Sequence, residues 1–161
     1  MTGMTTTTRT SSTYSHTQSA RLCLFVYGGA IWIFVWAVAC RNEDLRLPII
    51  LAAAGVLLAA LAACFHHLTV ADEGDRLAIR FGPLPLFHRS IRYDDIESVE
   101  VGRTLIIEAW GIHWSIIRGG WVWNLWGRVC VVVRMTKGTL RIGTDDAENL
   151  AEFLKRRIGW R

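Results

Sequence analysis

Paired cysteines, a long block of like charge and a recognisable catalytic set are all missing from this chain of 161 residues. The four cysteines, Cys23, Cys40, Cys64 and Cys130, form no CxxC and no Cys/His spacing suited to zinc. Neither a disulfide framework nor a metal ribbon is therefore expected, and free thiols suit a reducing, cytosolic face. The one basic cluster, Lys155-Arg156-Arg157, is too short for a nucleic-acid arm and better suits the C-terminal end of a helix dipole. No nucleic-acid partner is expected. From Phe65 onward, 14 Lys and Arg stand against 12 Asp and Glu, so the net charge of +4 says little about partners. With no Gly-rich phosphate loop, nucleophile elbow or Ser/His/Asp set, the reading assigns no catalytic residue, cofactor or metal, and no enzyme activity.

The most telling absence is of charge in two long stretches. Leu22 to Cys40 (LCLFVYGGAIWIFVWAVAC) and Leu47 to Cys64 (LPIILAAAGVLLAALAAC) contain no charged residue, and only Arg41 to Arg46 separates them. Each is about as long as a bilayer core demands of a helix, roughly 17–25 residues. The pattern predicts a transmembrane helical hairpin over residues 22–64. Gly55, Ala59 and Ala63 form a small-residue stripe that suits close packing against the first helix or dimerisation in the membrane. Arg9, Arg21, Arg76 and Arg80 flank the pair and favour both termini on the cytosolic side. A competing reading takes Ala37-Val38-Ala39-Cys40 as a lipobox with Cys40 lipidated; the long leader and the Trp-rich run speak against it. Residues 1–21 are rich in Thr and Ser, poor in apolar residues, and expected to be a disordered tail.

After Cys64 the period changes. Leu77, Ile79 and Phe81 alternate with Arg76, Ala78 and Arg80, and Phe87 to Tyr93 alternates again. Val99 and Val101 mark another strand. Val129 to Met135, a turn at Lys137-Gly138 and Leu140 to Ile142 follow. Thr144-Asp145-Asp146 is expected to cap a helix carrying Leu150, Phe153, Leu154 and Ile158, which ends at Gly159. The expected class is α+β: about seven antiparallel strands closed by one C-terminal helix, over residues 65–161.

Five tryptophans, Trp110, Trp114, Trp121, Trp123 and Trp126, crowd one segment that can be written as a hairpin turning at Arg118-Gly119-Gly120. Three readings compete. The indoles plug a core, each N–H finding a partner. They sit at the membrane interface beside the anchor. Or they line a ligand groove or protein contact.

The strand order with one capping helix resembles a pleckstrin-homology-like domain, in particular the bacterial type fused to a transmembrane hairpin. The resemblance rests on Thr139-Leu140-Arg141-Ile142-Gly143-Thr144-Asp145-Asp146 with Leu150 and Phe153-Leu154, and on Phe87 to Ile96. It implies a compact β-barrel used for binding, without catalysis. Phosphoinositide recognition around the first hairpin loop is implied poorly, because that loop is Asp72-Glu73-Gly74-Asp75 and would repel a phosphate.

The resulting expectation is a two-pass protein of the bacterial inner membrane, integral in lipid, that holds a protein partner or a second copy of itself at the cytosolic face. The alternative is a sensor of anionic lipid, with the five tryptophans inserting and Arg76, Arg80, Arg118 and Arg128 meeting headgroups. A third reading makes Glu108 and His113 an acid–base couple. His66-His67 is read as interfacial rather than metal-binding, and Cys130 as an inert core thiol.

Overall fold

The computed structural model describes residues 13–42, 45–83, 86–105, 108 and 110–159. Two helices, α1 (Cys23–Ala39) and α2 (Arg46–Cys64), form a hairpin. Ala and Leu dominate α2, and its Pro48 lies in the first turn, where an amide has no helical acceptor to lose. The pair is antiparallel: Gly55 lies under the Phe34 ring, 3.0 Å from where a Cβ would be, and Gly29 faces Leu58. Cys23, Ala30 and Ala37 on α1, and Gly55 and Ala62 on α2, are buried at seven-residue spacing, a seam narrow enough for close approach. Of the expected stripe, Gly55 is in this seam, while Ala59 and Ala63 are half-buried beside it. Outside the seam the pair is apolar and bare, with Phe25, Trp32, Ile50 and Leu57 all exposed. By length and composition α2 can cross a membrane; α1 is apolar but, at 17 residues, shorter.

Among the described residues nine strands form two sheets. The first contains β1 (Ser15–Ser19), β2 (His67–Asp72), β3 (Arg76–Phe81) and β4 (His88–Arg92), in that order and antiparallel throughout. Strand β1 is the main departure from expectation, since its residues were assigned to a disordered tail. Its order does not come from an apolar face of its own. The backbone pairs with β2, Ser19 opposite His67, and the preceding Tyr14 stacks on Phe153 at 5.4 Å. The helical hairpin is thus the connection between two adjacent strands, and the β unit takes residues from both sides of it.

The second sheet runs β5 (Ile96–Arg103), β8 (Val129–Met135), β9 (Gly138–Gly143), β7 (Trp121–Asn124), β6 (Gly111–Trp114). Here β9 slots between β8 and β7 and pairs parallel with β7, so the unit is not wholly antiparallel. Among the described residues no ladder joins the two sheets, and the expected barrel is not closed. The rings of Phe81 on β3 and Trp123 on β7, 5.7 Å apart, pack between the two sheets.

One core fills the space between the sheets, with Leu77, Ile79, Phe81, Val131, Leu140 and Ile142 fully buried. Helix α3 (Ala147–Ile158) covers it with Leu150, Phe153 and Leu154, packing on β5 and β8. Asp146 occupies the N-cap position without capping: its carboxylate accepts from the Tyr14 hydroxyl at 3.0 Å and from the Asn149 amide at 2.6 Å. At the other end Arg157 donates to Asp72 at 3.4 Å and to the Gly74 carbonyl at 2.9 Å, beside Tyr93, whose hydroxyl donates to Asp72 at 2.7 Å. Burial first, and then Asp72, raise the Tyr93 phenol far above its ordinary pKa.

Candidate functional site

The base of the hairpin is where apolar helices become a β unit, and Phe65 is its centre. Its ring contacts Phe81 and Phe87, each at 5.5 Å, and Trp110 at 6.2 Å. Its carbonyl accepts from the Cys23 thiol at 3.1 Å, and the next carbonyl, of His66, accepts from the Ala20 amide at 2.8 Å. Gly82 closes the junction. Its φ of +66° suits glycine, and a Cβ there would meet the Cys64 carbonyl oxygen at 2.6 Å. Both helices therefore enter the β unit through hydrogen bonds and ring contacts, with no free linker.

The five tryptophans do not share one role. Trp123 is 8% exposed and belongs to the core, yet its indole N–H has no acceptor among the described residues. The other four are 40–54% exposed. Trp110 rests beside Phe65, and the Trp126 carbonyl accepts from Gln18 at 3.0 Å, two residues before Ala20, so both lie near the hairpin base. Trp114 and Trp121 face each other across the β6–β7 ribbon, edge to face at 5.8 Å. Beyond them the loop is bare: Ile116 is 93% and Ile117 69% exposed. Gly119 and Gly120 make the expected turn, both with positive φ.

The candidate arginines scatter. Arg76 pairs with Asp75 at 2.9 Å and Arg80 with Glu73, so the acidic loop is neutralised by the strand that follows it. The hydrogen bond from Arg76 holds the Asp75 carboxyl below its usual range. Arg76 also sits at the end of β2 remote from the hairpin, about 17 Å along the strand, well beyond a Debye length of roughly 8–10 Å. Arg118 donates to the Arg103 carbonyl at 2.8 Å, and Arg128 is exposed in the turn after Trp126.

Glu108 and His113 make no hydrogen bond or ion pair with each other; the buried Glu108 carboxylate instead accepts from Ser115. Cys130 is fully buried, and burial pushes its thiol up to about 11. Among the described residues no cluster of His, Cys, Asp and Glu suits a metal ion.

What sequence reasoning overlooked is the seam left by the unjoined sheets. Leu86, Phe87, His88 and Arg89 on one side and Ile112, Trp121 and Trp123 on the other enclose a groove of about 300 Å³. Its signal was faint: a single arginine, Arg89, alternates onto the face of Phe87, Ile91 and Tyr93. No family model matches the chain, and no curated protein matches it.

Proposed function

We propose that this chain is a membrane-anchored, non-catalytic binding module of the pleckstrin-homology-like kind, which holds a protein partner or a second copy of itself at the cytosolic face of a bacterial inner membrane. The observation that carries this reading is the β6–β7 ribbon. Strand β6 ends its sheet, with no further strand beside it among the described residues, and exposed Trp114, Trp121, Ile116 and Ile117 surround it. Exposed aromatic and branched side chains clustered on one ribbon are what a protein contact needs, since such side chains are the anchors of interfaces. The apolar hairpin supports the anchor. A pair of helices apolar on every face is at home in lipid, and α1 and α2, about 26 and 29 Å long, approach the roughly 30 Å of a bilayer core. Because β1 pairs with β2, both legs begin and end at the β unit, an arrangement that fits two crossings. Anchoring raises the local concentration of the ribbon near membrane targets, so modest contacts suffice.

Site-specific photo-crosslinking from position 114, in the full chain in native membranes, tests the reading. A discrete protein adduct that disappears when Ile116→Lys and Ile117→Lys are combined is the expected result. A protein that stays monomeric and adduct-free in those membranes sinks it.

A second reading, contact with the lipid surface, draws on Trp110 and Trp126 at the hairpin base, the level where indoles collect in membrane proteins. Brominated lipids in nanodiscs holding the full chain would quench part of the indole fluorescence, and replacing Trp110 and Trp126 by Leu would remove that part. Unchanged quenching in the double variant would count against it.

A further inference from the structure

The seam between β4 and the β6–β7 ribbon combines features that no structural role requires together. In the β3–β4 register Leu77 opposes Ile91 and Ile79 opposes Arg89. Opposed side chains share a face, and Leu77, Ile79 and Ile91 are all buried, so Arg89 is turned inward on an edge strand. It has no hydrogen-bond or ion-pair partner among the described residues, and burial lowers its pKa from the ordinary guanidinium value. A half-buried charge without a partner is costly. Trp123, in the wall of the same groove, keeps its own N–H buried and without an acceptor.

The location says what compensates this charge. Phe87, at one end of the groove, stacks on Phe65 directly after α2. Arg89 lies two residues further along, at most about 7 Å. The headgroup layer of one leaflet is itself roughly 5–7 Å thick outside the hydrocarbon core. Beyond Arg89 a second cleft of about 270 Å³ continues between Ser90, Asp95 and Lys137, offering another cation and a carboxylate that can accept from hydroxyl groups. The apolar end of the seam thus points to the bilayer and the polar end away from it.

We propose that this seam holds one anionic phospholipid of the anchoring bilayer, its phosphate on the Arg89 guanidinium and its upper acyl region against Phe87 and Ile112. The assignment rests on the membrane-anchored reading above. An inward charge on an edge strand also discourages edge-to-edge pairing, but that role needs neither a groove nor a preference among lipids.

The test uses the full chain purified in detergent and titrated with phosphatidylglycerol, phosphatidylcholine or inorganic phosphate, read by native mass spectrometry and by the thermal unfolding midpoint. Phosphatidylglycerol is expected to bind about 10-fold or more tightly than either comparator, the range of a charge-assisted contact, and to raise the midpoint. Arg89→Gln removes both effects while unfolding, without lipid, at or above the parental midpoint, because it deletes an unpaired charge. Arg89→Lys keeps part of the preference, and Arg134→Gln, on an exposed strand position paired with Glu100, keeps all of it. Equal binding of phosphatidylcholine, equal binding of free phosphate, or undiminished binding by Arg89→Gln would each overturn the assignment. If Arg89→Gln does not fold, a photo-crosslinker at Ile112 decides: a phospholipid adduct supports the site and a protein adduct overturns it. Alkaline extraction of native membranes separates the two levels. A chain that stays in the membrane but shows no lipid preference loses this inference alone; a chain released from the membrane loses the anchor as well.

Discussion

The helical hairpin and the β unit are built from the same kinds of side chain and treat them in opposite ways. In the β unit Leu77, Ile79 and Phe81 are wholly buried; in the hairpin Phe25, Trp32 and Ile50 are mostly bare. The β strands obtain this by alternation, one face apolar and the other charged. The helices have no polar face to turn outward, and their buried seam is made of the small residues Ala30, Ala37, Gly55 and Ala62. Large apolar groups inside and charges outside describe a unit that folds against water. Small groups inside and large apolar groups outside suit the membrane anchor proposed above, since in hydrocarbon close packing rather than apolar burial drives association.

The sharpest way to break this contrast is to shorten one large ring on each side. Trp123→Ala should cost about 3–5 kcal/mol in denaturant unfolding of the full chain, the usual range for emptying a core. Trp32→Ala, on the bare face of α1, should cost about 0.5 kcal/mol in the same detergent. Comparable losses would mean that α1 buries its outer face against something other than lipid or detergent.

Two glycines sharpen the boundary between the regions. Gly74 and Gly82 both have positive φ, but an added Cβ at Gly74 meets nothing, whereas at Gly82 it meets the Cys64 carbonyl. Alanine at either position carries the backbone cost, about 1 kcal/mol. Gly82→Ala should lose a further 1–3 kcal/mol or so by overpacking the junction, read as the difference between the two unfolding free energies. No difference would mean the helices can separate from the β unit without consequence.

Smaller effects come from titration in the β unit. The Cys130 thiol is raised from 9.0 to about 11 by burial. Its contribution is present in full below about pH 9 and is lost as pH rises through about 11. Stability should therefore decline over that window, and Cys130→Ala should flatten the decline. A maleimide should modify half-buried Cys40 well before Cys130. The least effect is expected from Arg76→Gln. The Asp75 carboxyl is lowered from 3.8, so the pair helps only above that pH and its help fades as pH falls further. Both groups are exposed, and the unfolding midpoint at neutral pH should not move measurably.

Much of this organisation was legible in residue periods. Arg76–Phe81 is a strand at the bounds its alternation suggested, Val129–Met135 is one from its run of β-branched residues, and Ala147–Ile158 is helical from its Leu and Phe spacing. Ser15–Ser19 was not legible, because a strand held by its neighbour's backbone needs no apolar pattern of its own. The parallel placement of β9 against β7 was equally hidden, since period reports which face is buried and not which strand lies alongside. The tryptophans were conspicuous, but one face of a ribbon can be core at Trp123 and surface at Trp114. The face of Arg89 was legible, since the alternation sets it with Phe87, Ile91 and Tyr93, and its register opposite Ile79 agrees; the groove beside it was not, because a period does not report a gap between sheets.

The β1–β2 pairing also bears on how the chain is made. Strand β1 leaves the ribosome roughly 47 residues ahead of β2, about 2–10 s at ordinary rates of synthesis, and has no partner in that interval. A chain that inserted only one leg of its hairpin would leave β1 and β2 on opposite sides of the bilayer, and the first sheet could never assemble. For the two-pass anchor proposed above, completion of the β unit would therefore act as a checkpoint on insertion, because only copies with both legs in place could pair β1 with β2.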